Sequence, residues 1–227
     1  MAIKPILFNT EMVRAILDGR KTCTRRICKD ANEYTVPDME FYNADKRTYA
    51  VHNFADKKHT EQLSIAERTC PICPGDILYV RETWERFECW KCEGDERGNC
   101  PKEPKKSVLY KTCGCYMYRA TDEIYGDAKW HPSIHMPKEA ARIWLKVTDV
   151  KVERLQNIDG KWCVKEGIEE EPLKHVGEDF VKGMFHDLWD STINKSDIDR
   201  YGWGANPWVW VIEFERCKKP EEDKRCD

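Results

Sequence analysis

Apolar residues recur along this chain at two spacings, one typical of helices and one typical of strands. Residues 10–17 place apolar side chains on one helical face after a capping residue, either Asn9 or Thr10. This pattern predicts a short N-terminal helix. The same spacing returns over residues 178–190, where a broad apolar stripe predicts a second, amphipathic helix.

Alternation of apolar and polar residues predicts several short strands. The segment after Ala141 alternates, then changes phase near Thr148 and Asp149, which predicts a bulge or corner there. Residues 30–68 are mostly polar and predict a surface excursion with one hairpin. The predicted strands and the hairpin lie within residues 40–52, 76–84, 107–111, 115–120, 141–155 and 207–216.

This order of elements predicts an α+β fold, a mixed β-barrel with short helices flanking it. A chain of 227 residues is long enough to close one sizeable core and short for two. We therefore expect a single domain over residues 1–216, followed by a charged tail at 217–227. Two stretches interrupt the pattern and are predicted insertions, residues 30–68 and the cysteine-rich residues 87–115.

The N-terminus lacks the long apolar run of a signal peptide, and no later run approaches the roughly 20 apolar residues that span a bilayer. We expect a soluble, cytoplasmic protein without membrane contact. The net charge is only -3, so a nucleic-acid surface requires local clustering of charge. The densest basic segment, residues 20–29, contains no acid. Its cations are Arg20, Lys21, Arg25, Arg26 and Lys29.

Twelve cysteines in a chain expected to be cytoplasmic argue against a disulfide framework and favour metal binding. Four thiolates satisfy a tetrahedral structural zinc site, and a polar loop has little apolar content to order itself otherwise. The alternative is scattered reduced thiols, since cysteine is also an ordinary buried residue. Cys70 and Cys73 form a further pair upstream, and the alternative is that they compete for a ligand position. The predicted ligands come from Cys89, Cys92, Cys100, Cys113 and Cys115.

Several segments together resemble ASCH-domain proteins of the phage and prophage type, which belong to the PUA-like superfamily. The most specific segments are GRKT-x-T-x-R at residues 19–26 and HPSIHMP at residues 131–137. PGDILYVRETW, KEGI and NPWVWVIEFER add to the resemblance. It covers most of the chain, but not residues 30–68, the cysteine-rich stretch or the tail. A phage-encoded member would act in the host cytoplasm.

The resemblance implies a PUA-like barrel that binds RNA, DNA or a modified nucleoside. Some members of the wider superfamily resemble amidohydrolases that remove the acyl group of N4-acetylcytidine with a Lys, a Thr and a Glu. Matched by motif, these positions fall on Lys21, Thr24 and Glu166. A lysine among cations can act as the base for a threonine hydroxyl, while a carboxylate orients the pair. The alternative is that Lys21 contacts phosphate and Glu166 is solvated.

The loop KWHPSIHMP contains two prolines, and it presents an indole ring and two imidazoles that suit contact with nucleic acid. Trp130 can stack on a base, and His135 can hydrogen-bond its edge. The alternative is that Trp130 packs on the core. Three functions follow in order of preference: nucleic-acid or modified-nucleoside binding, an N4-acylcytidine amidohydrolase, and a phage accessory or assembly protein that uses the cysteine stretch for protein contacts.

Overall fold

A computed structural model describes residues 1–29, 35–56, 58–88, 105–106, 113–123 and 129–221. Within these ranges the chain divides into two compact units. Unit 1 comprises Met1–Leu17, Ile77–Lys146 and Arg216–Asp227, and unit 2 comprises Asp18–Asp76 and Val147–Glu215. The strand β10, Trp144–Arg154, begins in unit 1 and continues in unit 2.

Unit 1 holds a parallel strand pair, one helix and a small antiparallel sheet. β1 (Ile3–Leu7) lies parallel to β6 (Ile77–Arg81), and the start of β10 pairs antiparallel with β6. The helix α1 (Thr10–Leu17) begins where the Asn9 side chain accepts a hydrogen bond from the Met12 amide at 2.8 Å. The small sheet has the order β7, β9, β8, formed by Trp84–Glu88, Cys113–Tyr118 and Lys105–Lys106.

One buried cluster in unit 1 is rich in aromatic side chains. Trp84 and Trp144 pack with Tyr116, Tyr118 and Met136, all of them buried. Two short 3-10 turns, Ser133–His135 and Lys138–Ala140, carry Met136 and Ala140 into this cluster.

Unit 2 contains two groups of strands. β11 (Trp208–Cys217) lies between β10 and β2 (Cys23–Ile27), and it pairs antiparallel with β2. Successive side chains of β11 point to opposite faces, and residues 209–212 are all buried, so both faces of this strand are covered. A separate antiparallel sheet has the order β3, β4, β5, formed by Thr35–Asn43, Thr48–Phe54 and Gln62–Thr69.

Four helices follow β10 in unit 2, and apolar side chains of the first three cluster with Val209 and Val211 of β11. The longest, α4, has Val181, Phe185 and Trp189 buried at helical spacing. Three 3-10 turns lie at Leu155–Asn157, Lys195–Asp197 and Trp203–Ala205. The helices are α2 (Gly160–Lys165), α3 (Glu171–His175), α4 (Glu178–Ser191) and α5 (Ile198–Tyr201).

The α+β class and both predicted helices are confirmed, but the predicted barrel is wrong. Each sheet in the described ranges keeps two edge strands, and closure would require a hydrogen-bonded ladder between them. The predicted surface excursion at residues 30–68 holds a three-stranded sheet, in which Tyr49 and Val51 are fully buried. Phe180, predicted in the stripe of α4, is 51% exposed. Most of the predicted strand at residues 107–111 lies outside the described ranges.

Candidate functional site

The basic segment enters β2, and strand alternation distributes its side chains over two faces. Arg25 lies opposite Val211 and Thr24 opposite Ile212 in the ladder with β11. Because successive side chains of a strand point to opposite faces, Cys23 and Arg25 share one face while Thr24 and Arg26 share the other.

The short helix α2 supplies the acidic partner. Asp159 caps the helix by accepting a hydrogen bond from the Trp162 amide at 2.8 Å. A Cβ at Gly160 would lie 2.7 Å from a Leu173 methyl group, so only glycine fits there without a shift of Leu173. The helix ends at Glu166, followed by Gly167 with a φ of 106°. This turn directs the Glu166 side chain back toward β2.

A backbone hydrogen bond joins α2 to the basic segment. The Thr22 amide donates to the Lys165 carbonyl at 2.9 Å, while the Thr22 carbonyl accepts from Phe214 at 2.9 Å. Thr22 therefore links the residue before Glu166 to the closing strand β11. The two contacts fix the position of Lys21 against the end of α2.

Lys21 and Glu166 form a buried ion pair at this junction. The Lys21 ammonium donates to Glu166 Oε2 at 2.7 Å and to the Glu166 backbone carbonyl at 2.7 Å. Lys21 is 2% exposed and Glu166 is 3% exposed. Burial lowers the pKa of Lys21 below its ordinary value, although the charge of Glu166 opposes the shift.

Arg25 completes the network on the other carboxylate oxygen. Its guanidinium donates to Glu166 Oε1 at 3.1 Å and to Glu153 Oε1 at 2.5 Å. Each oxygen of Glu166 thus contacts a different cation, and Glu153 on β10 anchors the far side of Arg25. We call Lys21, Arg25, Glu153 and Glu166 the buried charge network.

Thr24, the third predicted catalytic residue, is buried beside Arg26. The Arg26 guanidinium donates to Thr24 Oγ1 at 2.6 Å and to the Arg25 carbonyl at 2.9 Å. The structure therefore brings Lys21 and Glu166 into direct contact and gives the Thr24 hydroxyl an arginine partner.

The predicted phosphate-binding cations differ in exposure. Lys21 and Arg25 are buried and paired inside unit 2, so their charge is not displayed on the surface. Arg20 remains partly exposed, where it donates to the Gly167 carbonyl at 2.8 Å and to Asp18 at 3.2 Å. Trp130 and His135 belong to unit 1, where His135 is exposed and Trp130 is half-buried.

Two features of the site were not predicted from the sequence. One is the contact of Glu153 with Arg25, and the other is the group of cations around the Trp162 ring. The ammonium groups of Lys151 and Lys165 each lie 4.1 Å from the Trp162 ring centroid, and the Arg25 guanidinium lies at 5.6 Å. The helical spacing of Trp162, Lys165 and Glu166 was a usable signal, because residues three and four apart share one face. The approach of Lys151 and Glu153 from β10 left no local signal.

The structure does not test the predicted zinc site. Cys89, Cys92 and Cys100 lie outside the described ranges, and of Cys113 and Cys115 only the backbone in β9 is described. Among the residues that the structure describes, no group of three or more His, Cys, Asp or Glu side chains is arranged to hold a metal ion.

The upstream pair, Cys70 and Cys73, is buried with its sulfurs turned toward its own loop. Cys70 Sγ donates to the Ile72 carbonyl at 2.8 Å, and the Cys73 amide donates to Asp76 Oδ2 at 3.2 Å. Burial raises the pKa of the Cys70 thiol to about 12. The Cys73 thiol also donates to the Cys70 carbonyl at 3.5 Å, so the hydrogen bonds of the pair stabilise the turn at residues 70–76.

Comparisons of the chain with protein-family models, with curated proteins and with solved structures give no match. The resemblance to ASCH-domain proteins thus stays a prediction. None of the helices in the described ranges is both long and apolar enough to cross a membrane.

Proposed function

We propose that this chain binds nucleic acid or a modified nucleoside, and that the buried charge network around Glu166 is the centre of recognition. The observation that carries the proposal is the direct contact of Lys21 with Glu166 in the interior of unit 2. Buried ion pairs cost desolvation energy that well-packed apolar residues avoid. Such groups with perturbed pKa values concentrate at functional sites.

The donor and acceptor set of the network suits the edge of a nucleobase. A carboxylate accepts hydrogen bonds from base amino and imino groups, while ammonium and guanidinium groups donate to base carbonyl oxygens. Glu166 is the acceptor and Lys21 and Arg25 are the donors, and a base binds them when these buried groups exchange their present partners for it. The resemblance to ASCH-domain proteins supports the same ligand class, because two of its motif segments, GRKT and KEGI, meet at this pair.

The experiment is a panel of nucleosides, modified nucleosides and short oligonucleotides, measured by calorimetry for binding. We expect at least one member to bind, and Glu166→Gln to weaken that binding by about tenfold or more, since it removes a charge-assisted hydrogen bond. Lys29→Gln is the matched control, because Lys29 is exposed in the same basic segment. Circular dichroism confirms that each variant is folded. Absence of binding across the panel would contradict the proposal.

The second candidate is an amidohydrolase acting on N4-acetylcytidine. It is favoured by the lowered pKa of Lys21. A lysine with a lowered pKa loses its own proton at a lower pH than an ordinary lysine, and only the neutral amine can act as a base. In this reaction Lys21 takes the proton of the Thr24 hydroxyl, Thr24 Oγ1 attacks the acyl carbon, and the bond to N4 breaks. The departing amine takes up a proton, and water then releases acetate from Thr24. Glu166 holds Lys21 in place throughout.

Chromatographic measurement of cytidine release tests this candidate. Thr24→Ala should abolish turnover, while Thr24→Ser should keep a measurable fraction because it retains the hydroxyl. Turnover that survives Thr24→Ala would point to an activated water. No cytidine release by the unaltered chain would leave the binding proposal alone.

A further inference from the structure

Trp162 presents an aromatic ring with two ammonium groups beside it. Lys151 approaches from β10 and Lys165 from α2, each with its nitrogen 4.1 Å from the ring centroid. Trp162 is half-buried, and the side chains of Lys151 and Lys165 are 38% and 44% exposed. We call these three residues the Trp162 platform. It lies at the surface of unit 2.

The platform adjoins the buried charge network. Trp162 and Glu166 are one helical turn apart, since the Glu166 amide donates to the Trp162 carbonyl at 2.9 Å. The Arg25 guanidinium, which contacts Glu166 Oε1, lies 5.6 Å from the Trp162 ring centroid. The Arg25 guanidinium thus lies between the Trp162 ring and the Glu166 carboxylate, and it connects the platform to the network.

We infer that Trp162 is a stacking platform for a base of single-stranded nucleic acid, and that Lys151 and Lys165 bind the flanking phosphates. This inference rests on the proposed function and names the ligand class of the same site. Aromatic rings edged by cations are the common feature of single-strand recognition, in which bases stack and the backbone follows positive charge.

The relative strengths of the contacts favour exchange of an ammonium group for a base. An exposed cation–π contact contributes about two- to fivefold in an equilibrium constant. Stacking of a base on an aromatic side chain contributes about five- to 150-fold. Lys151 and Lys165 also contact Glu153 at 3.3 Å and Glu213 at 3.2 Å, and solvent weakens these ion pairs because the two lysine side chains are 38% and 44% exposed. Both long side chains can therefore leave the ring for phosphate.

A polymer fits this arrangement better than a free nucleoside. Two flexible ammonium groups beside one ring match the two phosphates that flank a base, and a nucleoside has neither. We expect a single-stranded oligonucleotide to bind more tightly than the corresponding nucleoside, with an affinity that falls as salt rises.

The experiment measures fluorescence anisotropy of a labelled ten-nucleotide single-stranded RNA of mixed sequence at several salt concentrations. Trp162→Leu should weaken binding by about tenfold, and Trp162→Phe should keep binding within about threefold because it retains a ring. Trp208→Leu is the matched control, because Trp208 lies in the same unit with Arg154 4.3 Å from its ring centroid. It should change affinity by less than about twofold.

The two lysines give a second readout that does not depend on the ring. Lys151→Gln and Lys165→Gln should each lower the slope of log affinity against log salt by about 0.7, the value for one phosphate contact in a single strand. If the unaltered chain binds the RNA but Trp162→Leu and both lysine variants leave affinity and slope unchanged, the inference is wrong and the proposed function stands. If the chain binds a nucleoside but not the RNA, the inference is again wrong. If it binds neither, the proposed function fails with it.

Discussion

Each unit pairs an arginine with a buried glutamate, and the two pairs are built differently. In unit 1 the Arg142 fork meets both oxygens of Glu82, at 2.9 and 2.8 Å. In unit 2 the two oxygens of Glu166 are divided between Lys21 and Arg25, and Arg25 extends to Glu153. The Glu82 carboxylate thus binds one arginine with both of its oxygens, while the Glu166 carboxylate binds a different cation with each oxygen.

The difference separates a structural pair from a candidate site. Arg142 also packs on the Tyr118 ring at 4.0 Å and donates to Thr121, so each nitrogen of its guanidinium group donates within unit 1. A bidentate pair of this kind fixes geometry and has no group to offer a ligand. In the Glu166 network, by contrast, two cations share one carboxylate, so a change at either cation leaves the other in contact with Glu166. Both glutamates are buried, so the property that distinguishes the Glu166 network is its division between two cations.

The largest effect on stability should follow Glu166→Leu. This change leaves Lys21 and Arg25 in the interior without their shared carboxylate, and removal of one partner of a buried pair costs about 3–5 kcal/mol. Chemical denaturation should show this loss in the free energy of unfolding. Glu169→Leu, at an exposed position on the same loop, is the control and should change it by less than about 0.5 kcal/mol. A loss below about 1 kcal/mol for Glu166→Leu would mean that the network is not buried as described.

A smaller loss is expected from Arg142→Met, and it should depend on pH. Arg142 is partly exposed, so we expect a loss of about 2 kcal/mol in the free energy of unfolding near pH 7. Burial raises the pKa of Glu82 above its ordinary value of 4.5, and Arg142 opposes the shift. A carboxyl group whose pKa is raised by folding stabilises the folded state through its protonated form. This contribution is complete at pH values below the ordinary pKa, and it is lost as the pH rises through the pKa of the folded state.

Without Arg142 the pKa of Glu82 rises further, so the deficit of Arg142→Met should grow between about pH 5 and about pH 8. Denaturation of both proteins at the two pH values measures it. Nucleic-acid binding by Arg142→Met should be unchanged where it is folded. A deficit that shrinks as pH rises, or a binding defect comparable to that of Glu166→Gln, would remove the distinction between the two pairs.

Glu153→Gln should have a smaller effect, about 1 kcal/mol or less. Glu153 is more exposed than Glu166, and the amide oxygen of glutamine can still accept a hydrogen bond from Arg25. Thermal unfolding measures this loss of stability, and the larger loss in Glu166→Leu serves as the reference. If Glu153→Gln were as damaging as Glu166→Leu, the centre of the network would be Arg25 with its two carboxylates instead of the divided Glu166.

Among these changes, removal of metal should have the smallest effect on the stability of unit 2. The cysteines that predict zinc, from Cys89 to Cys115, belong to the chain segment of unit 1. We expect about one equivalent of zinc by elemental analysis of protein never exposed to chelator, and its loss in the double variant Cys89→Ser, Cys92→Ser. Cys70→Ser is the control and should keep the zinc. Less than about a tenth of an equivalent in the unaltered protein would contradict the prediction.

Local patterns were sufficient to predict the elements and part of the site. Helix α1 and its cap at Asn9, helix α4, the hairpin of β3 and β4, and the core strand β6 follow from periodicity and turn residues, which act over a few positions. The β5 strand was missed because its exposed residues alternate weakly. The motif resemblance also selected Lys21 and Glu166 together, and they are in direct contact.

The sequence by itself determined the α+β class, both predicted helices and the residue types of the site, because these depend on spacing along the chain. Tertiary structure alone decided that the sheets stay open and that Lys21 and Arg25 lie inside. Both cations look like surface phosphate ligands in the sequence, since the carboxylate that neutralises them lies 145 and 141 residues away. The energy of a buried charge depends on its partners in space, and those partners are set by the packing of α2 on β2 and by the place of β10 two strands away from β2 in the same sheet.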